Sequence, residues 1–353
     1  MKIAIVTQPL ANNYGGIMQN YALQQALRKL GHDVTTIDYI PHTSVFRYLL
    51  SWCKSLLLFP FKSKRRKFPK FVKVYERKEH MLSFIKKHIS LTQTVTSYSS
   101  AILYKNNIDA VIVGSDQVWR PKYNRLIKDM YLRFVPQEVR KVAYAASFGV
   151  DSWEYSSSLT KECAKYAQQL YKLSVREYSG IELCQRYLGV TAEFVLDPTL
   201  LLESEVYKRL FNDSSLYKYP YLFAYILDID SPKRDYVYKL AKMLNLQPII
   251  YSAGDIKVEE WLQTICYADY VVTDSFHGTA FSIIFKKDFT AITNPLRGNS
   301  RFVSLLNSVG LFDRIISENY DQMNLSAIDW GSVDAQLGAM RQQSFEFINN
   351  SLL

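Results

Sequence analysis

The sequence predicts an α/β protein made of two parallel-sheet domains with a cleft between them. Three observations carry this reading. The chain has 353 residues, which at roughly 100–200 residues per domain suggests two domains. Short apolar runs alternate with helix-like segments in two successive series. A turn-rich cluster, Asn212-Asp213-Ser214-Ser215, separates the series. Hydrophobic residues make up 48% of the chain, enough for substantial cores, and Gly and Pro are too few for a linker-rich protein.

Residues 2–7 read as the first strand. Residues 17–30 carry apolar side chains at helical spacing and stop at Gly31, and residues 33–38 form a second strand. This strand-loop-helix-strand opening is typical of a doubly wound parallel sheet. Residues 110–113 and 142–145 are further strands, 173–175 and 194–196 are weaker ones, and helical stretches such as 161–171 lie between them. The second series runs strand 221–227, helix 232–244, strand 247–250, helix 258–268, strand 270–273, helix 278–285 and strand 289–292. A helix over 333–348 closes the chain. The expected division is therefore 1–212, including a basic aromatic insertion at about 41–90, and 213–353 with the closing helix.

The four cysteines, Cys53, Cys163, Cys184 and Cys266, are scattered and form no CxxC pair. A reducing cytoplasm is expected, without a metal site or disulfide framework. The N-terminus reads as a strand rather than a signal peptide. No apolar run approaches the ~20 residues of a membrane span.

The net charge is +10, and residues 41–90 account for all of it: thirteen Lys/Arg stand against Glu76 and Glu79. Within this segment the apolar, aromatic stretch 45–61 precedes Lys62-Ser63-Lys64-Arg65-Arg66-Lys67. Two readings fit. One is docking to an anionic membrane surface, at the inner face of the plasma membrane. The other is an ordinary helical insertion with a solvated basic face. No motif suggests nucleic-acid binding.

Ligands of open α/β sheets bind beyond the carboxyl ends of the strands, so strand-end residues are the candidates. Asn13, Tyr14 and Gly15 lie in the loop after the first strand, where adjacent glycines and a helix N-terminus favour close approach of an anion. The loop is neither GxGxxG nor a Walker loop. Ser115, Asp116 and Gln117 follow another strand and are suited to sugar hydroxyls, with Trp119 suited to stacking on a sugar ring; a cap with a buried Trp is the plain alternative. Ser147 sits at a third strand end. Arg176 follows a short strand, where a guanidinium can grip phosphate or carboxylate in a bidentate fork or form a structural ion pair. The stretch Thr273-Asp274-Ser275-Phe276-His277-Gly278 is the most informative. It sets an imidazole beside helix N-terminal amides at a strand end, and His277 is the one histidine of five in a site-like context.

Taken together, these motifs resemble the polysaccharide pyruvyl transferase family. The resemblance runs from Asn12-Asn13-Tyr14-Gly15 through Gly114-Ser115-Asp116, Ser174-Val175-Arg176-Glu177 and Asp197-Pro198-Thr199 to Asp274-Ser275-Phe276-His277-Gly278. It implies two Rossmann-like domains in a GT-B-like arrangement. It also implies transfer of a pyruvyl group from phosphoenolpyruvate to a glycan or lipid-linked oligosaccharide, giving a pyruvate ketal and using no cofactor. Arg176 and His277 match the family's donor-site Arg and His. Ser275 stands where the family's Arg-Leu-His-type motif has arginine. Arg297 and Arg301, after the strand at 289–292, are the expected replacements, with Asn299 or Ser300 capping the helix that holds Arg301. Ser275 and Gly278 are expected near the donor. His277 is the expected general acid and Asp116 the expected base. A nucleotide-sugar glycosyltransferase and a non-catalytic glycan-binding protein are the rival readings.

Overall fold

The computed structural model describes residues 1–41, 45–59, 77–294, 297–317, 320 and 323–353. The Lys62–Lys67 cluster lies outside them.

The first sheet has six parallel strands in the order β2-β1-β3-β4-β5-β6. They are β1 (Lys2–Val6), β2 (Asp33–Thr36), β3 (Ala110–Gly114), β4 (Arg140–Ala146), β5 (Lys172–Val175) and β6 (Glu193–Phe194). β1 pairs with β2 from Lys2 opposite Asp33, and with β3 from Ile3 opposite Ala110. Every residue of β3 is buried, as expected for a central strand covered on both faces. After β1 the chain turns one way to β2, then crosses to β3 on the other side. The carboxyl ends of β1 and β3 therefore flank a topological switch point, the crevice where such sheets bind ligands.

The second sheet repeats this plan with five parallel strands, β11-β10-β9-β7-β8. These are β7 (Tyr221–Tyr225), β8 (Gln247–Tyr251), β9 (Tyr270–Thr273), β10 (Phe289–Ile292) and β11 (Ile315–Ile316). Its switch point lies between β7 and β9. The two Rossmann-like sheets turn these ends toward each other, and the catalytic candidates meet between them.

The helices read at 161–171 and 333–348 start earlier than expected, at Ser157 and Trp330, and so do the two helices at the switch points. Helix α1 (Tyr14–Lys29) begins three residues early and takes in Gly15 and Gly16, because the Asn13 side chain caps it by accepting from Gly15 N at 3.1 Å. Of the helices that follow in the first unit, α2 (Val45–Leu58) and α3 (Glu79–His88) belong to the basic insertion. They are succeeded by α4 (Ser100–Asn106), α5 (Ser157–Ala167), α6 (Tyr178–Leu183) and α7 (Ser204–Lys208). The second unit has α8 (Ser231–Met243), α9 (Val258–Tyr267), α10 (Phe276–Ile284) and α11 (Ser300–Ser308). Helix α10 is the other early start at a switch point: Ser275 accepts from Gly278 N at 3.4 Å, so His277 lies inside the first turn instead of before it.

The closing helix α12 (Trp330–Leu352) leaves the second sheet and packs on the first. Ser344 Oγ accepts from Leu196 N at 3.0 Å, Arg140 donates to Ser351 O at 3.3 Å, and the Phe347 ring packs on Tyr144. Other struts cross the cleft itself. The Tyr14 hydroxyl donates to Ile256 O at 2.6 Å and accepts from Ile256 N at 3.0 Å, and its ring stacks on Trp261. No helix among the described residues is long and apolar enough to cross a membrane.

Candidate active site

Arg176, just beyond β5, is the hub of the first domain's contribution. Its side chain is 1% exposed. Nη1 donates to Ser115 Oγ at 3.2 Å and to Asp197 Oδ2, while Nη2 donates to Asp116 Oδ1 at 3.2 Å. The Asp197 carboxylate is otherwise held by Ser115 Oγ at 2.8 Å and by the amide and hydroxyl of Thr199 at 3.0 and 2.7 Å. Burial pushes the Asp197 carboxyl up. The Arg176 guanidinium, with His277 and Thr199, outweighs that and holds it well below the ordinary carboxylate range. Asp197 is thus a fixed anion.

Asp116 changes role from the one expected. Burial raises its carboxyl, but Arg176, His277 and Arg301 pull it below its ordinary value. A carboxylate already accepting from Arg176 and from Gln117 N is a weak base. It serves to orient the guanidinium. Its backbone is left-handed, with φ of 64°, uncommon for a residue other than glycine and found here at the switch point.

His277 enters from the second domain. It is 5% exposed, and its Nε2 lies 3.7 Å from Asp197 Oδ1. That separation is beyond hydrogen-bond range, and Nε2 has no hydrogen-bond partner. On the other side of the ring lies Gly15: a β-carbon there would fall 1.9 Å from Nδ1. The tight start of α1 is therefore what lets the imidazole sit between the domains.

Phe276 forms a shelf for two cations. The Arg176 guanidinium lies 4.9 Å from its ring centroid and that of Arg301 lies 5.6 Å away. Arg301 is buried, yet it forms no ion pair with a carboxylate among the described residues; Nη2 donates only to Arg297 O at 3.3 Å, and Nε has no partner. Burial first, and then the like charge of Arg176, push its pKa down to about 10. It stays charged at neutral pH. Neither Asn299 nor Ser300 caps α11 through its side chain; Asn299 instead accepts from Asn294 N at 2.9 Å.

Several expected residues fall elsewhere. Arg297 is half-exposed and bound to Asp228 through Nε at 2.5 Å and Nη2 at 3.0 Å, so its charge is already spent. Trp119 is fully buried, stacked on Tyr131 at 4.8 Å with Nε1 donating to Met130 O, so it supports the core and offers no face to a sugar. Tyr14 is buried as an interdomain strut. Asn13 is exposed as the α1 cap. Gln117 accepts from the buried Arg120 at 3.2 Å, and Arg120 also reaches Arg297 O in the second domain at 3.0 Å. Ser275 and Gly278 make the α10 cap. Ser147 is buried, with an unpartnered hydroxyl.

Two residues of the cluster were not singled out from the sequence. Asp197 carried a signal, as part of an Asp-Pro-Thr turn after a strand. Glu177 is fully buried, and its Oε1 accepts from Phe148 N at 2.7 Å and Gly149 N at 3.1 Å while Oε2 has no partner. Burial pushes its carboxyl up against the opposing charge of Arg176. Through Gly149 it fixes a loop that touches the second domain: a β-carbon on Gly298, whose φ is 90°, would fall 1.7 Å from Gly149 O. Two surface concavities lie away from this cluster, one around Arg140 and Tyr171 and one lined by Glu203, Lys208 and Lys286.

Two parallel sheets with facing switch points, each interleaved with helices, give the chain a paired Rossmann-like α/β fold. The polysaccharide pyruvyl transferase family model matches residues 13–295, and the chain belongs to that family. Its acceptor is accordingly a glycan. Among solved structures, the chain is similar to the UDP-GlcNAc 2-epimerase from Methanocaldococcus jannaschii (TM-score 0.47, 13% identity, 97% of this chain and 93% of that one). It is also similar to the E. coli ADP-heptose LPS heptosyltransferase II (TM-score 0.38, 13% identity, 100% and 98%). A spinosyn rhamnosyltransferase complexed with thymidine diphosphate gives a TM-score of 0.43 at 9% identity, over 99% and 96%. No curated protein matches the chain.

Proposed function

We propose that the chain transfers the pyruvyl group of phosphoenolpyruvate to two hydroxyls of one glycan sugar, forming a cyclic ketal. The observation that carries this reading is Arg301: a buried guanidinium without a carboxylate partner, beside Arg176 and on the same Phe276 shelf as His277. Burying a charge without a direct ion pair is costly, and Asp116 and Glu177 offset it only from a distance. An anionic ligand removes that cost, and phosphoenolpyruvate brings both a phosphate and a carboxylate. Arg301 thereby supplies the cation that Ser275 does not.

In the first step a sugar hydroxyl oxygen bonds to C2 of phosphoenolpyruvate as its O–H bond breaks, and the methylene carbon takes a proton in exchange and becomes a methyl group. In the second step a neighbouring hydroxyl oxygen bonds to the same carbon as the C–O bond to phosphate breaks. The second hydroxyl's proton leaves with the phosphate. His277 is the acid/base group in this scheme. Arg176 and Arg301 stabilise the charge on the departing phosphate. Asp197 and Asp116 hold Arg176 in place and take no proton.

The test is an incubation of the protein with a glycan acceptor and either phosphoenolpyruvate or a panel of nucleotide sugars. Phosphate release and a pyruvate ketal on the glycan are expected with phosphoenolpyruvate alone. Nucleotide release would instead mark a glycosyltransferase. Full biological activity of His277→Ala would mark a non-catalytic binder.

A further inference from the structure

The basic insertion is rooted at the mouth of the cleft. On its return it passes Arg77, which pairs with the buried Asp38. Lys78 follows: its amide donates to Asn12 Oδ1 at 2.8 Å and its ammonium to Gly254 O at 2.6 Å, so it touches the rims of both domains. Helix α2 of the same insertion exposes apolar side chains, with Leu49 54%, Leu50 54% and Leu56 55% exposed, and Trp52 and Phe59 more than 40% exposed. Leu49, Trp52, Leu56 and Phe59 are spaced three, four and three residues apart, which sets them along one stripe of the helix. Lys54 is the one charged residue among the exposed positions 49–56, and the sequence after the helix carries Lys62, Lys64, Arg65, Arg66 and Lys67.

We infer that this face of α2 docks the protein onto an anionic lipid surface, with the cleft mouth held close to the membrane. Exposed leucines and a Trp, followed in the sequence by a run of cations, match what an interfacial segment needs: apolar side chains for the acyl boundary and Lys/Arg for anionic headgroups. An acidic soluble glycan would use the cations but leave the leucines in water. A second copy of this chain would bring the same positive segment against itself. The lipid surface uses both features at once. Held there, the cleft meets an acceptor carried on a lipid without extracting it from the bilayer; this consequence alone rests on the glycan-transfer reading.

The experiment is co-sedimentation of the full chain with vesicles of pure phosphatidylcholine or of phosphatidylcholine with one-third phosphatidylglycerol, at low and high salt. Binding to the phosphatidylglycerol vesicles, weakened by salt, is expected. The triple variant Leu49→Ser, Leu50→Ser, Leu56→Ser is expected to bind them on the order of tenfold more weakly or worse, with little change in thermal midpoint because these side chains are more than half exposed. Equal binding to both vesicle types, unaltered binding of the triple variant, or a preference for a soluble acidic polysaccharide would each overturn the inference. Because vesicle binding needs no donor or acceptor, its failure is separate from failure of the proposed chemistry.

Discussion

Gly15 of the first domain touches His277 of the second so closely that any side chain would take the place of the imidazole: its β-carbon would fall 1.9 Å from Nδ1. Gly15 sits in the first turn of a helix, where alanine is favoured. Gly15→Ala should therefore leave α1 intact while displacing the imidazole. A shift of about 1 Å in a reacting group can cost on the order of a hundredfold in rate. Turnover should fall by that order with far-ultraviolet helix content unchanged. A Gly15→Ala protein with normal turnover would show that His277 does not need this position.

Arg301 should trade stability for function. Its pKa of about 10 is displaced downward from the ordinary arginine value of 12.5 by burial and by Arg176. A cation lowered in this way disfavours folding at all pH values below about 10, and the cost is relieved only as pH rises beyond that. Arg301→Met keeps the packing on Phe276 and removes the charge. The ligand-free variant should be more stable at pH 7, by on the order of 1–3 kcal/mol, while donor affinity falls at least tenfold. Thermal melts and donor titrations check the two halves, and unchanged donor affinity would remove Arg301 from the site.

Asp197 should behave in the opposite sense. Its folded-state carboxyl is held well below the ordinary range. The stability it contributes is present above the unfolded value of about 3.9 and is lost only as pH falls through the lower folded value. Asp197→Asn, which leaves Arg176 short of a buried counter-ion, should cost about 3–5 kcal/mol. The difference from the unaltered protein should stay constant between pH 7 and pH 5. A difference that closes within that window would contradict the assigned ion pair.

Glu177 titrates the other way. Burial raises its carboxyl, so its ionisation disfavours folding as pH rises from the ordinary carboxylate range through the higher folded value. Glu177→Gln keeps an oxygen to accept from Phe148 N and Gly149 N but does not ionise. Relative to the unaltered protein, the variant should gain on the order of 1 kcal/mol between pH 4 and pH 7. Denaturant melts across that range measure the trend, and a flat difference would refute it.

Strand-end residues were legible in the sequence because a parallel sheet writes its central strands as short apolar runs and puts polar groups directly after them. Arg176 and His277 stand out that way, 101 positions apart in the chain, and both reach Asp197. What the pattern does not encode is which side of a helix start a residue occupies. Gly15 and Gly16 read as loop because glycine is a poor helix former, and Phe276 and His277 fall before the helix start expected at Gly278, yet side-chain caps from Asn13 and Ser275 pull both helix starts forward. Nor does local sequence separate Trp119 in the core from a Trp on a wall, since both follow a polar strand end. Arg297 and Arg301 look equivalent in sequence as well. Asp228, nearly seventy residues away, neutralises one and leaves the other.

The closing helix gives the molecule an order of assembly. Ser344 grips the amide of Leu196, the residue before Asp197, so the anion that fixes Arg176 rests on a helix translated after every other described element. Both sheets can form while the chain is still emerging from the ribosome. The Arg176 guanidinium gains its final support only when that helix has crossed back to the first sheet, so a nascent chain that has formed both sheets is still without its finished cluster.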